Sequence, residues 1–176
     1  SFSFLLFYNI YMFKLIMKHL LFILFLFLFL LGICSAEDYI IEFQAKVKNL
    51  IEYDISNTKK FRNYDLEGTF TDSYGNIGIF GAVVSADIEK GRLIRLDSTA
   101  ENIYSNNSKI YFRGIREKSD FDAGIAYNII IGTTDKFKAL IGTKCTTSVR
   151  YLKDAIFGIN KCSLSEDSKK LLNDIN

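Results

Sequence analysis

From Leu66 to the Cys162 segment the chain is a succession of short runs rich in Ile, Val, Phe, Tyr and Thr. Each run is cut off by turn formers at roughly the 8–12-residue spacing of antiparallel all-β domains. This punctuation predicts strands over 66–72, 77–87, 92–104, 109–117, 123–132, 137–151 and 155–163. Asp72-Ser73-Tyr74-Gly75-Asn76 offers Asp at the first turn position and Gly at the fourth. Ile88-Glu89-Lys90-Gly91, Ser105-Asn106-Asn107-Ser108 and Thr133-Thr134-Asp135-Lys136 play similar roles. Seven or eight short strands in simple succession form an up-and-down meander that closes into a barrel and so removes its edges. A two-layer sandwich is the alternative. A membrane-spanning barrel would place Arg95, Asp97, Lys138, Lys144 or Arg150 in a lipid-facing band, which is costly.

Residues 38–54 fit two patterns. Ile40, Phe43, Val47 and Leu50 mark a helical stripe, whereas Ile41, Phe43, Ala45 and Val47 alternate as a strand does. The alternation favours a strand that opens the sheet, followed by a solvated loop at 56–60. At the other end, Ser165 followed by Glu166 and Asp167, then Lys169 and Lys170, suits a short helix capped by serine and oriented by its dipole.

Ahead of this domain, Lys14 and Lys18, the apolar stretch Leu20–Ile33 and the small residues Cys34 and Ala36 have the three parts of a secretory signal. The apolar stretch is shorter than the ~20 residues of a membrane-spanning helix. Residues 1–36 are therefore expected to be upstream sequence plus a cleaved signal, and 37–176 a single β-barrel domain in the periplasm or outside the cell. An uncleaved anchor through residues 4–13 is the competing reading, and in that case the signal would be the chain's only link to a membrane. A lipoprotein signal would modify Cys34, but Ile33 is too bulky for the position before it.

Processing at Glu37 removes His19, Met12, Met17 and Cys34, so the mature chain has no His, Met, Trp or Pro. The 22 basic residues lose Lys14 and Lys18 and then equal the 20 acidic ones. A neutral domain lacks the basic excess that nucleic acid requires. Without histidine, triad chemistry and His/Cys zinc sites have no members, and no cofactor or metal is expected. Asp72, Ser73 and Asn76 carry oxygen, but their spacing matches a turn and no calcium loop.

Cys145 and Cys162 are the cysteines that remain, and an oxidising compartment makes their pairing the default. With Lys153-Asp154 as the hairpin tip, the two lie opposite each other at a non-hydrogen-bonded pair, where Cα atoms approach most closely. Their face is shared by Thr147, Val149, Tyr151, Ile156 and Asn160.

The hairpin centred on Asn106-Asn107 sets Asp97 opposite Arg116 as a surface ion pair, and Ala100 opposite Arg113. The other face then collects Ser98 and Asn102 beside Tyr111 and Arg113. Turned inward, these four make a polar patch in an apolar cavity, the pattern of a site for a small apolar or amphipathic ligand. Turned to the rim, Arg113 would hold its head in water.

The run Gly132-Thr133-Thr134-Asp135-Lys136-Phe137-Lys138-Ala139-Leu140-Ile141-Gly142-Thr143 resembles the glycine-rich hairpin of eight-stranded dirigent and allene oxide cyclase barrels. Thr134 and Ala139 stand where that pattern has glycines. The resemblance implies the barrel fold, and a barrel that steers a reactive substrate by shape, but carries over no catalytic residue. Glu67–Asn76 together with the Cys145 segment also resembles uncharacterised small secreted proteins of marine bacteria.

The expected function is thus an exported, non-catalytic barrel that binds a small ligand, with a filled-core interaction module as the alternative. Amino-terminal sequencing of exported protein is expected to begin at Glu37. Recovery of an intact 18–36 segment would overturn the processing site.

Overall fold

A computed structural model describes residues 17–22 and 38–175. The cleavage site, Cys34 and most of the expected signal lie outside the described residues; residues 17–22 are helical and exposed. The chain separates into two units between Glu37 and Asp38, and the second is the barrel.

Eight strands follow one another: β1 (Tyr39–Asp54), β2 (Lys59–Asp72), β3 (Ile77–Glu89), β4 (Arg92–Tyr104), β5 (Lys109–Asp120), β6 (Ala123–Thr133), β7 (Lys144–Leu152) and β8 (Ala155–Cys162). Each pairs antiparallel with its neighbour, and β1 pairs with β8 from Tyr39↔Cys162 to Lys46↔Ala155, so the sheet is a closed barrel. Side chains alternate along the strands except at bulges. In β8 the result is visible residue by residue: Ile156, Gly158, Asn160 and Cys162 are buried while Phe157, Ile159 and Lys161 are exposed. A short helix, Glu166–Asn173, follows, its first turn capped by the Ser165 hydroxyl, which accepts from the Ser168 amide.

Three departures from the predicted elements have physical causes. β2 begins at Lys59, inside the expected loop, because Phe61 and Arg62 pair on both sides, with Tyr53 and Glu52 of β1 and with Asp87 and Ala86 of β3. This stretch stands at the barrel's rim, so it has no buried alternation for a sequence pattern to show. β7 begins at Lys144 and not at 137. The intervening Asp135–Leu140 is a 3-10 turn in which Phe137 and Leu140 are both buried. Residues three apart eclipse in that geometry, so an apolar pair at i and i+3 imitates neither strand nor hairpin. The third departure, in the β4–β5 hairpin, concerns the site and is taken up below.

The β7–β8 hairpin has its tip at Lys153-Asp154, with Lys153 at φ 58. Cys145 pairs with Cys162 and the two are disulfide-bonded, with Cα atoms 4.1 Å apart. Closing a loop of this length stabilises by about 3 kcal/mol in the chain-entropy account. The bonded cysteines face inward with Thr147, Val149, Tyr151, Ile156 and Asn160, as the register required. Among the described residues no helix is long and apolar enough to cross a membrane.

The core runs the length of the lumen. Phe43 stacks on Phe80 with ring centroids 4.5 Å apart, and the tip of its ring lies over Gly158, its cross-strand partner. A Cβ on Gly158 would sit 2.1 Å from that ring. Gly158→Ala is expected to displace Phe43 and cost about 1–3 kcal/mol, the usual penalty of overpacking. Gly81→Ala, where the nearest atom is 3.9 Å away, is the control and should change urea-unfolding stability little. Equal stability for both variants would show that Phe43 is not fixed by that glycine.

Candidate functional site

Strand parity places one side chain in two from each strand inside the barrel. Where these do not meet, they leave a cavity of about 70 Å³. Its apolar lining is built by Phe43, Leu66, Phe80, Val84, Phe112 and Ile156. The polar part of the lining stands on β4 and β6–β8, interleaved with these apolar residues: Asn102 is the cross-strand partner of Phe80 and Ser98 that of Val84. Asn128 Nδ2 donates to Thr147 Oγ1 at 2.6 Å, and Thr147 Oγ1 donates to Asn160 Oδ1 at 2.7 Å, a relay across three adjacent strands. Ser98 and Asn102 complete it, and the buried Asn102 Oδ1 has no hydrogen-bond partner. Gly114 keeps this polar part open, because a Cβ there would come within 2.5 Å of both Asn128 Oδ1 and Ser98 Oγ.

Of the four residues expected at the site, the structure brings Ser98 and Asn102 into the cavity and leaves Tyr111 and Arg113 on the outer surface. The cause is a one-residue difference in the turn. Tyr104 and Ser108 flank three loop residues; the Asn107 amide donates to the Tyr104 carbonyl at 2.9 Å, and Asn107 itself takes φ 64. A three-residue loop ending in a left-handed residue is a common hairpin form. It moves every β5 partner by one: Ala100 faces Phe112, Leu96 faces Arg116, and Asp97 faces Ile115 instead of Arg116. Such a slip exchanges inside for outside along the whole strand. Arg113 joins Asp97 at 3.1 Å in an exposed cluster with Arg95, and Arg116 goes inside.

Arg116 is 1% exposed and makes no ion pair. Its Nη2 donates to the Phe121 carbonyl at 2.6 Å, while Nε and Nη1 have no partner. The guanidinium carbon lies 6.0 Å from the centre of the Tyr151 ring. Phe121, in the β5–β6 turn, packs against Tyr151 at 5.5 Å and carries Arg62 on its other side at 4.7 Å. Burial pulls the Arg116 guanidinium below its ordinary pKa, and the charge of Asp122 partly opposes this.

The other end of the barrel is sealed. Phe137 and Leu140 of the 3-10 turn and Leu172 of the C-terminal helix are buried. Tyr39 donates to Asp72 at 2.8 Å and shares a 2.7 Å hydrogen bond with Tyr104. Asp72 also accepts from the Tyr74 and Asn76 amides, and Asn76 Nδ2 donates to the Leu172 carbonyl at 3.0 Å. The Asp72 carboxylate is thus engaged within the turn, and Asn76 Nδ2 ties the helix to the barrel, while the buried Asn76 Oδ1 has no hydrogen-bond partner.

Thr147 and Asn160 were visible in the sequence as members of the cysteine face. Arg116 and Asn128 were not, because the β4–β5 slip hides the first and the second has no partner until Thr147 is placed. The one clue was Asn107, a residue type that tolerates positive φ. Comparison of the chain with protein families, curated proteins and solved structures finds no match.

Four tyrosines have phenols held above their ordinary pKa, and burial is the leading cause for each: Tyr39, Tyr64, Tyr104 and Tyr151. In the unfolded chain they ionise near pH ~10. Above that pH the unfolded state binds fewer protons than the folded one, so their contribution to stability, full below pH ~10, declines as pH rises. Absorbance at 295 nm during alkaline titration should show these phenols ionising only as the barrel unfolds. A single step near pH 10 with the fold intact would contradict their burial.

Proposed function

We propose that the barrel unit is an exported, non-catalytic binding protein whose lumen takes a small apolar or amphipathic molecule in the periplasm or outside the cell. The observation that carries this reading is a cavity of mixed lining, in which Phe43, Phe80 and Phe112 supply apolar surface and Ser98, Asn102 and Asn128 supply polar groups among them. Ligand pockets combine these features, a mostly apolar lining with a few placed polar groups. The Cys145–Cys162 bond supports an oxidising compartment, and the signal-like residues 14–36 supply the route.

Size limits the occupant. Drug-sized ligands occupy roughly 300–1,000 Å³, and an apolar cavity of roughly 150 Å³ accepts benzene. A space of about 70 Å³ suits a molecule, or one end of a molecule, of only a few heavy atoms. The same small volume favours the second reading, an interaction module whose core is simply well filled. A dirigent-like barrel that steers a reactive substrate needs acidic or tyrosine groups converging on an open lumen. No Asp or Glu lines this cavity, and the hydroxyl of Tyr151, which does line it, is engaged with that of Tyr64 at 2.7 Å. Binding without chemistry is the better fit.

Ligand-observed NMR with fragments of up to about six heavy atoms tests the proposal. Saturation transfer is expected for the native barrel and should be lost in Ala100→Leu, which fills the cavity at an overpacking cost of about 1–3 kcal/mol. No transfer to the native protein, or equal transfer to a folded Ala100→Leu, would favour the filled-core module.

A further inference from the structure

Arg116 is costly where it is. A buried cation without a counter-ion loses its hydration, and structures ordinarily answer that loss with a carboxylate or a full set of acceptors. Here the answer is incomplete. One carbonyl, that of Phe121, accepts a short bond from Nη2, and Asp120 O lies at 3.5 Å. The three N–H bonds of Nε and Nη1 point at no acceptor. The ring of Tyr151 contributes a weak attraction at 6.0 Å. Asp122 is close enough to act through space but forms no ion pair with it. Buried polar groups without partners are rare enough to need a reason, and this one lines the cavity.

We propose that Arg116 anchors the anionic end of the ligand, and that this end is the carboxylate of a small aliphatic monocarboxylate. The inference rests on the lumen-binding reading and gives it a substrate class. Three observations choose a monocarboxylate over other anions. Among the described residues Arg116 is the one cation lining the cavity, so a dianion such as phosphate would carry a second charge with nothing among them to meet it. A planar carboxylate matches guanidinium geometry. The remaining wall, with Leu96, Val149 and Ala126 near the polar relay, offers apolar contact to a short chain but no further donor of full charge. The volume of about 70 Å³ admits an acid of the size of acetate to butyrate.

Isothermal titration calorimetry on the full barrel with acetate, propionate, butyrate and octanoate, and with the matching amides as neutral isosteres, tests this. The short acids should bind and their amides should bind at least about thirtyfold more weakly, the least expected for losing a buried charge-assisted contact. Given the acid-over-amide preference, octanoate failing where butyrate binds fits the small cavity volume, whereas octanoate binding as well as butyrate would overturn the restriction to short acids. Arg116→Met should lose the preference for acid over amide yet remain as heat-stable as the native protein or become more so, because an apolar replacement removes an uncompensated charge. Arg116→Lys, which keeps the charge, should recover part of the preference. Acids and amides binding equally, with Arg116→Met unchanged, would overturn the anchor and leave lumen binding standing. No binding of any of these compounds, with Ala100→Leu indistinguishable from native, would overturn both. An Arg116→Met barrel that unfolds, together with a native barrel blind to acid against amide, would make the arginine purely architectural and would also overturn the proposal.

Discussion

A closed antiparallel barrel has two kinds of side-chain position, and each turn decides which residues of the next strand fall into which. The two-residue tip at Lys153-Asp154 puts Cys145 against Cys162. The three-residue tip ending at Asn107 puts Leu96 against Arg116. Bulges reset the count within strands: between Lys48 and Ile51 in β1, and around Ile94 in β4, which leaves Ile94 exposed although Leu93 and Leu96 are buried. Because the lumen holds few side chains, the parity of a single hairpin changes its chemistry. With one residue's shift at Asn107, Tyr111, Arg113 and Glu117 would stand where Ile110, Phe112 and Arg116 stand inside.

That dependence explains what could be read without coordinates. The all-β class, the eight-stranded order, the disulfide and the C-terminal helix follow from alternation, spacing and composition, which are local and redundant. A strand with six alternating residues still reads as a strand when one is ambiguous. Register has no such redundancy, since it hangs on one turn. The cysteine hairpin was legible because two covalently matched residues checked its count. The Asn106-Asn107 hairpin had no such check, so Ser98 and Asn102 were found from β4 while the β5 half of the site was inverted. The segment 137–141 failed for another reason. Its apolar residues follow a threefold turn that neither a strand nor an α-helix pattern describes.

The interior combines apolar filling with a set of polar side chains. Phe43, Phe80 and Phe112 fill most of the lumen, and the aromatic cluster of Phe70, Tyr104 and Phe137 closes one end. The Asn128–Thr147–Asn160 relay spans strands that the disulfide also joins. A satisfied polar network of this kind rigidifies the wall that bears it. The aromatic residues of the lumen are held by packing, as where Phe43 rests against Gly158.

The seam of the barrel is the pairing of β1 with β8, the first strand with the last. No covalent bond crosses it; the disulfide ties β8 to β7, its neighbour in sequence. Across the seam itself stand the backbone ladder and an ion pair between Asp38 and Lys161 at 2.7 Å. Thermodynamically the long closure is cheap, since doubling a loop adds only about 0.6 kcal/mol. Kinetically it is the slowest kind of contact to find, because it joins the most distant parts of the domain. Without that pairing β1 and β8 would be the two bare edges of an open sheet. Edges of that kind recruit other chains, so the seam is also what keeps this sheet from adding a strand of another molecule.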